Sequence, residues 1–308
     1  MLVNRDSVGP ALTPYGAVVA IGAFDGVHLG HANLLRAMVA RARDLGLPSV
    51  VVSFEPLPRQ YFRRAPLLRL TPFRERIERL RELGLDRALC LRFGRELADR
   101  SAEDFIKQVL VERLCAREVW VGPDFRFGRG REGDIVLLRQ LGVKLGFTAE
   151  QIPLCTRAGE RVSSSAIRLA LNIPDFAAAE IALGRRYTYS GRVVRGKQLG
   201  RKLGFPTANL RWPQDSLGFA GIFAVRVSGA GLDRHPGVAS LGYRPTVEGK
   251  ELLLEVHLFD FNGDLYGRRL TVDFIAKQRD EWHFPDLDSM VLQIRRDADE
   301  ACRLLRGP

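Results

Sequence analysis

Short apolar runs alternate with helically spaced segments through the first half of the chain. AVVAI (17–21), SVVVSF (49–54), ALCLRF (88–93), EVWVG (118–122) and VKLGFTAEQIPL (143–154) read as strands. Segments 32–45, 73–83, 102–114 and 134–141 repeat their apolar residues at helical spacing and fall between those strands. Such alternation predicts an α/β domain with a parallel sheet and helices on both faces. Two further helices are expected at 164–171 and 175–183. From Tyr187 the texture changes to TYSGRVV, GIFAVRVSG, PGVASLG, ELLLEVHLFDF and RRLTVDFIA, separated by Gly-containing turns. That half predicts a small antiparallel β-barrel. A last helix at 286–306 carries Leu287, Met290, Val291, Ile294, Ala298 and Leu305 on one face. With 308 residues the chain has room for two cores, so the expected domains are 1–184 and 185–308.

The run GAFDGVHLGH (22–31) follows the first apolar strand directly. A glycine-punctuated turn with two histidines thus leads from a buried strand into a helix expected to start straight after His31. The helix rests on Leu34, Leu35, Met38, Val39, Ala42 and Leu45. A helix N-terminus presents unpaired N–H groups and suits a phosphate. Gly22, Gly26 and Gly30 let backbone approach a ligand closely, and His28 and His31 add donors that titrate near neutral pH. The spacing matches neither GxGxxG nor GxxxxGK[ST], which excludes a dinucleotide fingerprint and a P-loop. Read alone, the run also fits a tight turn with two solvent-facing histidines.

Two more clusters lie in the first half. GPDFRFGRGREGD (122–134) follows a strand, and its Phe125 and Phe127 can flank a planar ring system. VSSSAIR (162–168) places serines before a helix, one as N-cap, with Arg168 one turn in. In the second half, GRKLGFPTANL (200–210) sets Thr207 and Asn209 two apart on one strand face, where hydroxyl and amide can ligate Mg²⁺. It fits equally a Gly-Pro loop closing a barrel. Glu255 is an acid in the apolar strand LLLEVHLFDF. Buried, it would be raised toward a usable base; on a solvent face it would be ordinary.

The net charge is +11, with arginine dominating. Acidic residues are interspersed and no basic–aromatic ladder occurs, so a nucleic-acid partner is not expected. Phosphate-rich small molecules fit the charge as well. The four cysteines, Cys90, Cys115, Cys155 and Cys302, form no CxxC pair, which argues against zinc or a disulfide framework. Apolar runs fall short of the ~20 residues of a membrane helix, and MLVNRDSVGP has no secretory character. The expectation is a cytoplasmic protein with no membrane partner, for which a weak homo-oligomer is within range.

In order, the clusters 22–31, 122–128 and 162–168 resemble the GxFDGxHxGH, GxDFRFG and SSxxIR elements of bacterial FMN adenylyltransferases, members of the nucleotidylyltransferase superfamily. FEPLP (54–58) resembles a fourth element, with Leu57 where histidine is usual. GxLGFPTAN and LEVHLFDF look like the riboflavin kinase domain. The resemblance implies a Rossmann-like adenylyltransferase domain followed by a kinase barrel. The barrel would phosphorylate riboflavin to FMN, and the first domain would adenylylate FMN to FAD, releasing pyrophosphate. ATP and Mg²⁺ would serve both steps. It further implies His28 and His31 on the ATP phosphates, with Ser164, Ser165 and Arg168 on the departing pyrophosphate. Gly22, Phe24, Asp25 and Gly30 would shape the nucleotide turn, Asp25 near the metal-bound phosphates. Asp124, Phe125 and Arg126 would lie near the flavin. In the barrel, Glu255 would be the base, Thr207 and Asn209 would hold the metal nucleotide, and Gly200, Gly204 and Pro206 would shape its loop. Arg279 would lie near flavin or phosphates. The chain departs from the pattern at Ser240 (usually asparagine), at Phe223 (commonly tyrosine) and at Trp282 and His283 (usually more polar). Two other readings stay open: an adenylyltransferase for another phosphorylated metabolite, and a flavin- or RNA-binding regulator with degraded activity.

Overall fold

A strand buried along its whole length needs packing on both faces, and the first half of this protein supplies it. The computed structural model describes residues 1–5, 7–62, 67–196, 198–212, 218–246 and 249–306. Its contacts divide the chain into two units, Met1–Ser164 and Ser165–Pro308.

In the first unit, β1 (Leu2–Asn4), β2 (Ala17–Ile21), α1 (Leu29–Asp44), β3 (Ser49–Glu55), α2 (Pro58–Phe62), α3 (Phe73–Glu82) and β4 (Arg87–Arg92) come first. Then follow α4 (Arg95–Ala98), α5 (Ala102–Phe105), β5 (Ala116–Val121), α6 (Ile135–Leu145), β6 (Thr148–Gln151) and the hairpin β7 (Thr156–Arg157) and β8 (Glu160–Arg161). Six strands form a parallel sheet in the order β1-β4-β3-β2-β5-β6. Alternate residues face opposite layers. Val19, Ile21, Val50, Val52 and Leu89 pack with Phe105, Ile106, Val109, Leu110 and Leu138. Val18, Ala20, Val51 and Ala88 pack with Leu35 and Met38 of α1 and Ile77 and Leu80 of α3. The chain proceeds from β2 through β3 to β4, then returns to β5 on the other side of β2. The carboxyl end of β2 is therefore the switch point, where α/β sheets open a crevice for ligands.

Two boundaries and one helix type differ from the sequence reading. Helix α1 starts at Leu29, before His31, because the His28 side chain caps it. Residues 143–145 belong to α6, which ends where Gly146 turns left-handed at φ 83° and its N–H bonds to the Gly142 carbonyl. A Cβ at Gly142 would lie 2.4 Å from the Phe147 carbonyl oxygen. Helix α5 continues as a π-helix through Ile106–Arg113. The N-terminal segment also contributes β1, which the sequence reading passed over because only three residues pair with β4.

The second unit contains most of α7 (Ser164–Asn172), followed by α8 (Phe176–Leu183), β9 (Thr188–Val194), α9 (Leu199–Lys202), β10 (Ala208–Arg211) and β11 (Gly221–Gly229). β12 (Leu232–Thr246), β13 (Gly249–Leu258), β14 (Arg269–Arg279) and α10 (Leu287–Leu305) complete it. The strands close an antiparallel barrel in the order β10-β13-β12-β11-β14-β9. Its interior is aromatic. Phe274 meets Phe219, Phe223, Tyr187 and Trp212, and Phe176 of α8 stacks on it at 5.7 Å. That contact groups α8 with the barrel, whereas the sequence reading puts the domain boundary near Gly184. Phe223 is fully buried in this cluster, where a tyrosine hydroxyl would need a partner. Helix α10 covers β11, β12 and β14 through Ala301 and Leu305, which pack on Ala224 and Val238. Among the described residues no helix is long and apolar enough to cross a membrane.

The aromatic cluster sets a test. Phe274→Ala should cost the barrel ~3–5 kcal/mol, read as a lower urea midpoint by tryptophan fluorescence; a loss under ~1 kcal/mol would contradict this packing.

Candidate active sites

The turn between β2 and α1 is built from unusual backbone. Phe24 and Val27 take positive φ of 50° and 40°, and Gly26 takes 86°. Non-glycine residues hold such angles only where the surroundings enforce them. Here His28 is the N-cap of α1, its Nδ1 accepting the His31 N–H at 3.3 Å. An accepting Nδ1 places the ring proton on Nε2. The His31 ring stacks on His28 with centroids 3.7 Å apart and meets the edge of Phe24 at 5.2 Å. His31 is half-buried, and its Nδ1 is shielded from water without a hydrogen-bond partner. Burial first, and the His28 ring second, hold its pKa well below the usual imidazole range. The two histidines are thus packed parts of the turn, contrary to the solvent-facing reading. Gly30 sits against His28, where a Cβ would come within 3.3 Å of the ring.

Asp25 is buried, and its carboxylate accepts the Leu70 and Thr71 backbone N–H groups at 3.1–3.2 Å. It ties the turn to the segment before α3. The Ser164 hydroxyl donates to the Asp25 carbonyl at 2.9 Å, so this serine, expected on an anion, holds the turn here. Ser165 is exposed and Arg168 is buried within α7.

Sequence reasoning missed Arg76. In FRERIERLRELG it reads as one charge on a solvated face, yet its side chain is wholly buried. It donates to the carbonyls of Ala23 and Phe54 and to Glu55, each at 2.9 Å. Arg69 pairs with the same Glu55, through Nη1 at 2.8 Å and through Nη2. Desolvation and Arg69 lower the Arg76 pKa, against the pull of Glu55. Its only sequence signal was position, one helical turn before the buried Leu80. Leu57 is buried, so that position is filled by packing.

In the 122–134 loop, Phe125 and Phe127 stack on each other at 5.3 Å, and Phe127 joins the core. They therefore do not flank a ring between them, as the sequence reading expected. Asp124 pairs with Arg161, and Arg126 pairs with Asp134 at 2.7 Å.

The barrel lines up its candidates by register. Asn209 pairs with Glu255, Glu255 with Ser240, Ser240 with Ile222 and Ile222 with Arg279, a row across five strands. Glu255 is half-buried, between the buried Leu254 and Val256 that face inward, which falls between the buried and the solvent-facing readings of it. Asn209 is buried, and its Oδ1 has no hydrogen-bond partner. A Cβ at Gly196 would fall 2.5 Å from the Asn209 amide nitrogen, and one at Gly200 2.3 Å from the Phe205 carbonyl oxygen. Both glycines keep the loop close over Asn209 and Thr207. Gly204 turns it at φ 86°, and His257 Nδ1 donates to the Pro206 carbonyl at 2.9 Å. Arg279 was expected at flavin or phosphates. Instead its Nε and Nη2 grip Asp297 at 2.9 and 2.6 Å, Nη1 donates to the Asp280 carbonyl, and its face lies 4.6 Å over Trp282. Its donors are spent on locking α10 to β14.

Residues 12–166 match the FAD synthetase family and residues 183–305 the riboflavin kinase family. The chain is 45% identical over 284 residues to an Escherichia coli K12 protein named bifunctional riboflavin kinase/FMN adenylyltransferase, covering 92% of this chain and 90% of that one. A Pseudomonas fluorescens protein of the same name is 44% identical over 296 residues, with 95% and 94% covered. A solved structure described as a macrolide-efflux protein of Streptococcus pneumoniae is 27% identical, with a TM-score of 0.79, covering 98% of this chain and 99% of that one.

Two outcomes follow from the turn. Arg76→Met strands Ala23 and Phe54 carbonyls and should destabilise the first unit by ~3–5 kcal/mol in thermal unfolding. Because His31 has a depressed folded pKa, it is neutral in both states above about pH 6.5. Below that the unfolded chain takes up a proton that the folded site refuses, so stability falls with acid. A His31→Gln chain should lose less melting temperature between about pH 6.5 and 5 than the wild type.

Proposed function

The chain belongs to the bifunctional riboflavin kinase/FMN adenylyltransferase family, and on that premise we propose how its residues carry the two reactions. The second unit phosphorylates riboflavin to FMN; the first adenylylates FMN to FAD. Flavin-specific matches on both halves displace the readings of another metabolite and of an inactive regulator.

In adenylyl transfer an FMN phosphate oxygen attacks the α-phosphorus of ATP and pyrophosphate departs. Such a step needs in-line positioning and charge stabilisation more than covalent help. The α1 N-terminus at the switch point offers both, with its free N–H groups aimed where phosphates would lie. His28 Nε2–H, fixed by the cap bond, donates to a phosphate oxygen. His31, held below the usual imidazole range by burial and by His28, can donate a ring N–H hydrogen bond as negative charge arrives beside it. Gly22, Phe24 and Gly30 shape the turn against the nucleotide, and Asp25 and Ser164 hold it. Ser165 and Arg168 receive the pyrophosphate, while Asp124, Phe125 and Arg126 border the flavin. The capping bond between His28 and His31 carries this reading, because it sets the tautomer and the helix start together.

In the kinase step Glu255 takes the proton of the terminal ribityl hydroxyl as that oxygen attacks the γ-phosphate of ATP. The cross-strand pairing of Asn209 with Glu255 supports it, by putting the base one strand from the nucleotide loop. Mg²⁺ fits beside that loop, since the Asn209 Oδ1 lacks a partner and Thr207 supplies a hydroxyl two residues away. Among the described residues no cluster of three or more acidic, histidine or cysteine side chains offers a metal cage. A cation held by Thr207 and Asn209 would share its oxygens with substrate phosphates, as Mg²⁺ commonly does, and would neutralise their charge. Gly200, Gly204 and Pro206 keep the loop in place, and Arg279 acts through α10 as a positioning residue. Both reactions draw on ATP, which fits work in the cytoplasm.

A chromatographic time course of riboflavin with Mg-ATP tests the assignment. Wild type should give FMN and then FAD, and His31→Ala should stop at FMN. Glu255→Gln should slow FMN formation by about 10²–10⁴ while still adenylylating added FMN. Equal loss of both reactions in either variant would sink the division of labour.

A further inference from the structure

The carboxyl ends of β1 and β4 border a cavity of about 610 Å³ that neither reaction uses. Among the described residues its wall carries Arg5, Arg92, Arg95 and Arg100 with the carboxylate of Glu96. Of the four, Arg5, Arg92 and Arg95 are exposed and Arg100 is largely buried. Arg100 is nine-tenths buried and donates through Nη2 to Glu96 at 2.9 Å, yet its Nη1 is shielded from water without a partner. Among the described residues Arg95, itself nine-tenths exposed, pairs with the exposed Asp99 at 3.4 Å. Among the described residues Arg5 and Arg92 make no ion pair, Arg5 lying over the Phe73 ring at 5.0 Å. A shielded N–H without an acceptor costs stability, and clustered guanidinium groups repel unless an anion lies among them. β3 separates β4 from β2, which sets this cavity about 10 Å along the sheet from the histidine turn.

We propose that the cavity binds a phosphate-bearing small molecule, the phosphate among Arg92, Arg95 and Arg100 and the apolar part against Leu91 and Leu97. Three arginines lining one wall can bring several guanidinium forks to the oxygens of a dianion, whereas one carboxylate ligand would occupy a single fork. A concave site of this volume matches small ligands, which commonly occupy about 300–1,000 Å³. Polymeric nucleic acid instead reads an extended basic surface.

Arginine-selective labelling of the full chain with phenylglyoxal, mapped by peptide mass spectrometry, tests the site with inorganic pyrophosphate as probe. Millimolar pyrophosphate should protect Arg92 and Arg95 several-fold, and the protection should persist in His31→Ala. In Arg100→Gln, which keeps a hydrogen-bond donor to Glu96, about tenfold more pyrophosphate should be needed. Unchanged labelling of Arg92 and Arg95 overturns the proposal. So does protection that disappears in His31→Ala, because the arginines would then report the transfer site. Retained protection in Arg100→Gln at the same concentration would leave only surface screening by the anion, and also overturns it.

Discussion

The carboxyl end of β2 depends on one constraint: the chain must leave a buried strand and start a helix within residues 22–28. Left-handed angles at Phe24 and Val27 meet it, at a cost the neighbours offset. His28 closes the turn from inside the helix by capping it, Asp25 fastens it to Leu70 and Thr71, and Arg76 supports the Ala23 carbonyl from below. The groups that would meet ATP are therefore the groups that hold the backbone. On the proposed reading, binding and folding share the same residues here, which is why a fully buried arginine counts for this turn.

The barrel solves a different problem. Its interior is packed with aromatic rings, and the candidates stand in a row along the strand ladder. Register decides which side chains share that row, since a slip of one residue turns them to the opposite face. The row ends at Arg279, whose grip on Asp297 joins the strand to α10. Stability and positioning meet at that pair, as they do at Arg76 and Glu55.

The element pattern was largely legible. Continuous apolar runs with helices between them gave a parallel sheet, and β9 and β11 match their sequence runs residue for residue. Errors arose where a side chain, rather than periodicity, sets a boundary. The start of α1 was placed after His31 because a histidine cap has no pattern of its own. VKLGF read as strand because its apolar residues fit either period, and only the left-handed Gly146 divides it. Phe125 and Phe127 looked like a ring clamp because spacing cannot tell two side chains that flank a ligand from two that stack.

The sequence by itself determined the two-part architecture and the motifs that name the chemistry, because glycines, histidines and apolar periods act locally. Tertiary structure alone decided the environment of each group. It buried Arg76, half-exposed Glu255, spent the donors of Arg279 on Asp297 and left the Asn209 Oδ1 unpartnered. It also gathered Arg5 with Arg92, Arg95 and Arg100 around one cavity. Burial, cross-strand register and shared partners depend on residues far apart in the chain, and no local pattern records which of them will meet.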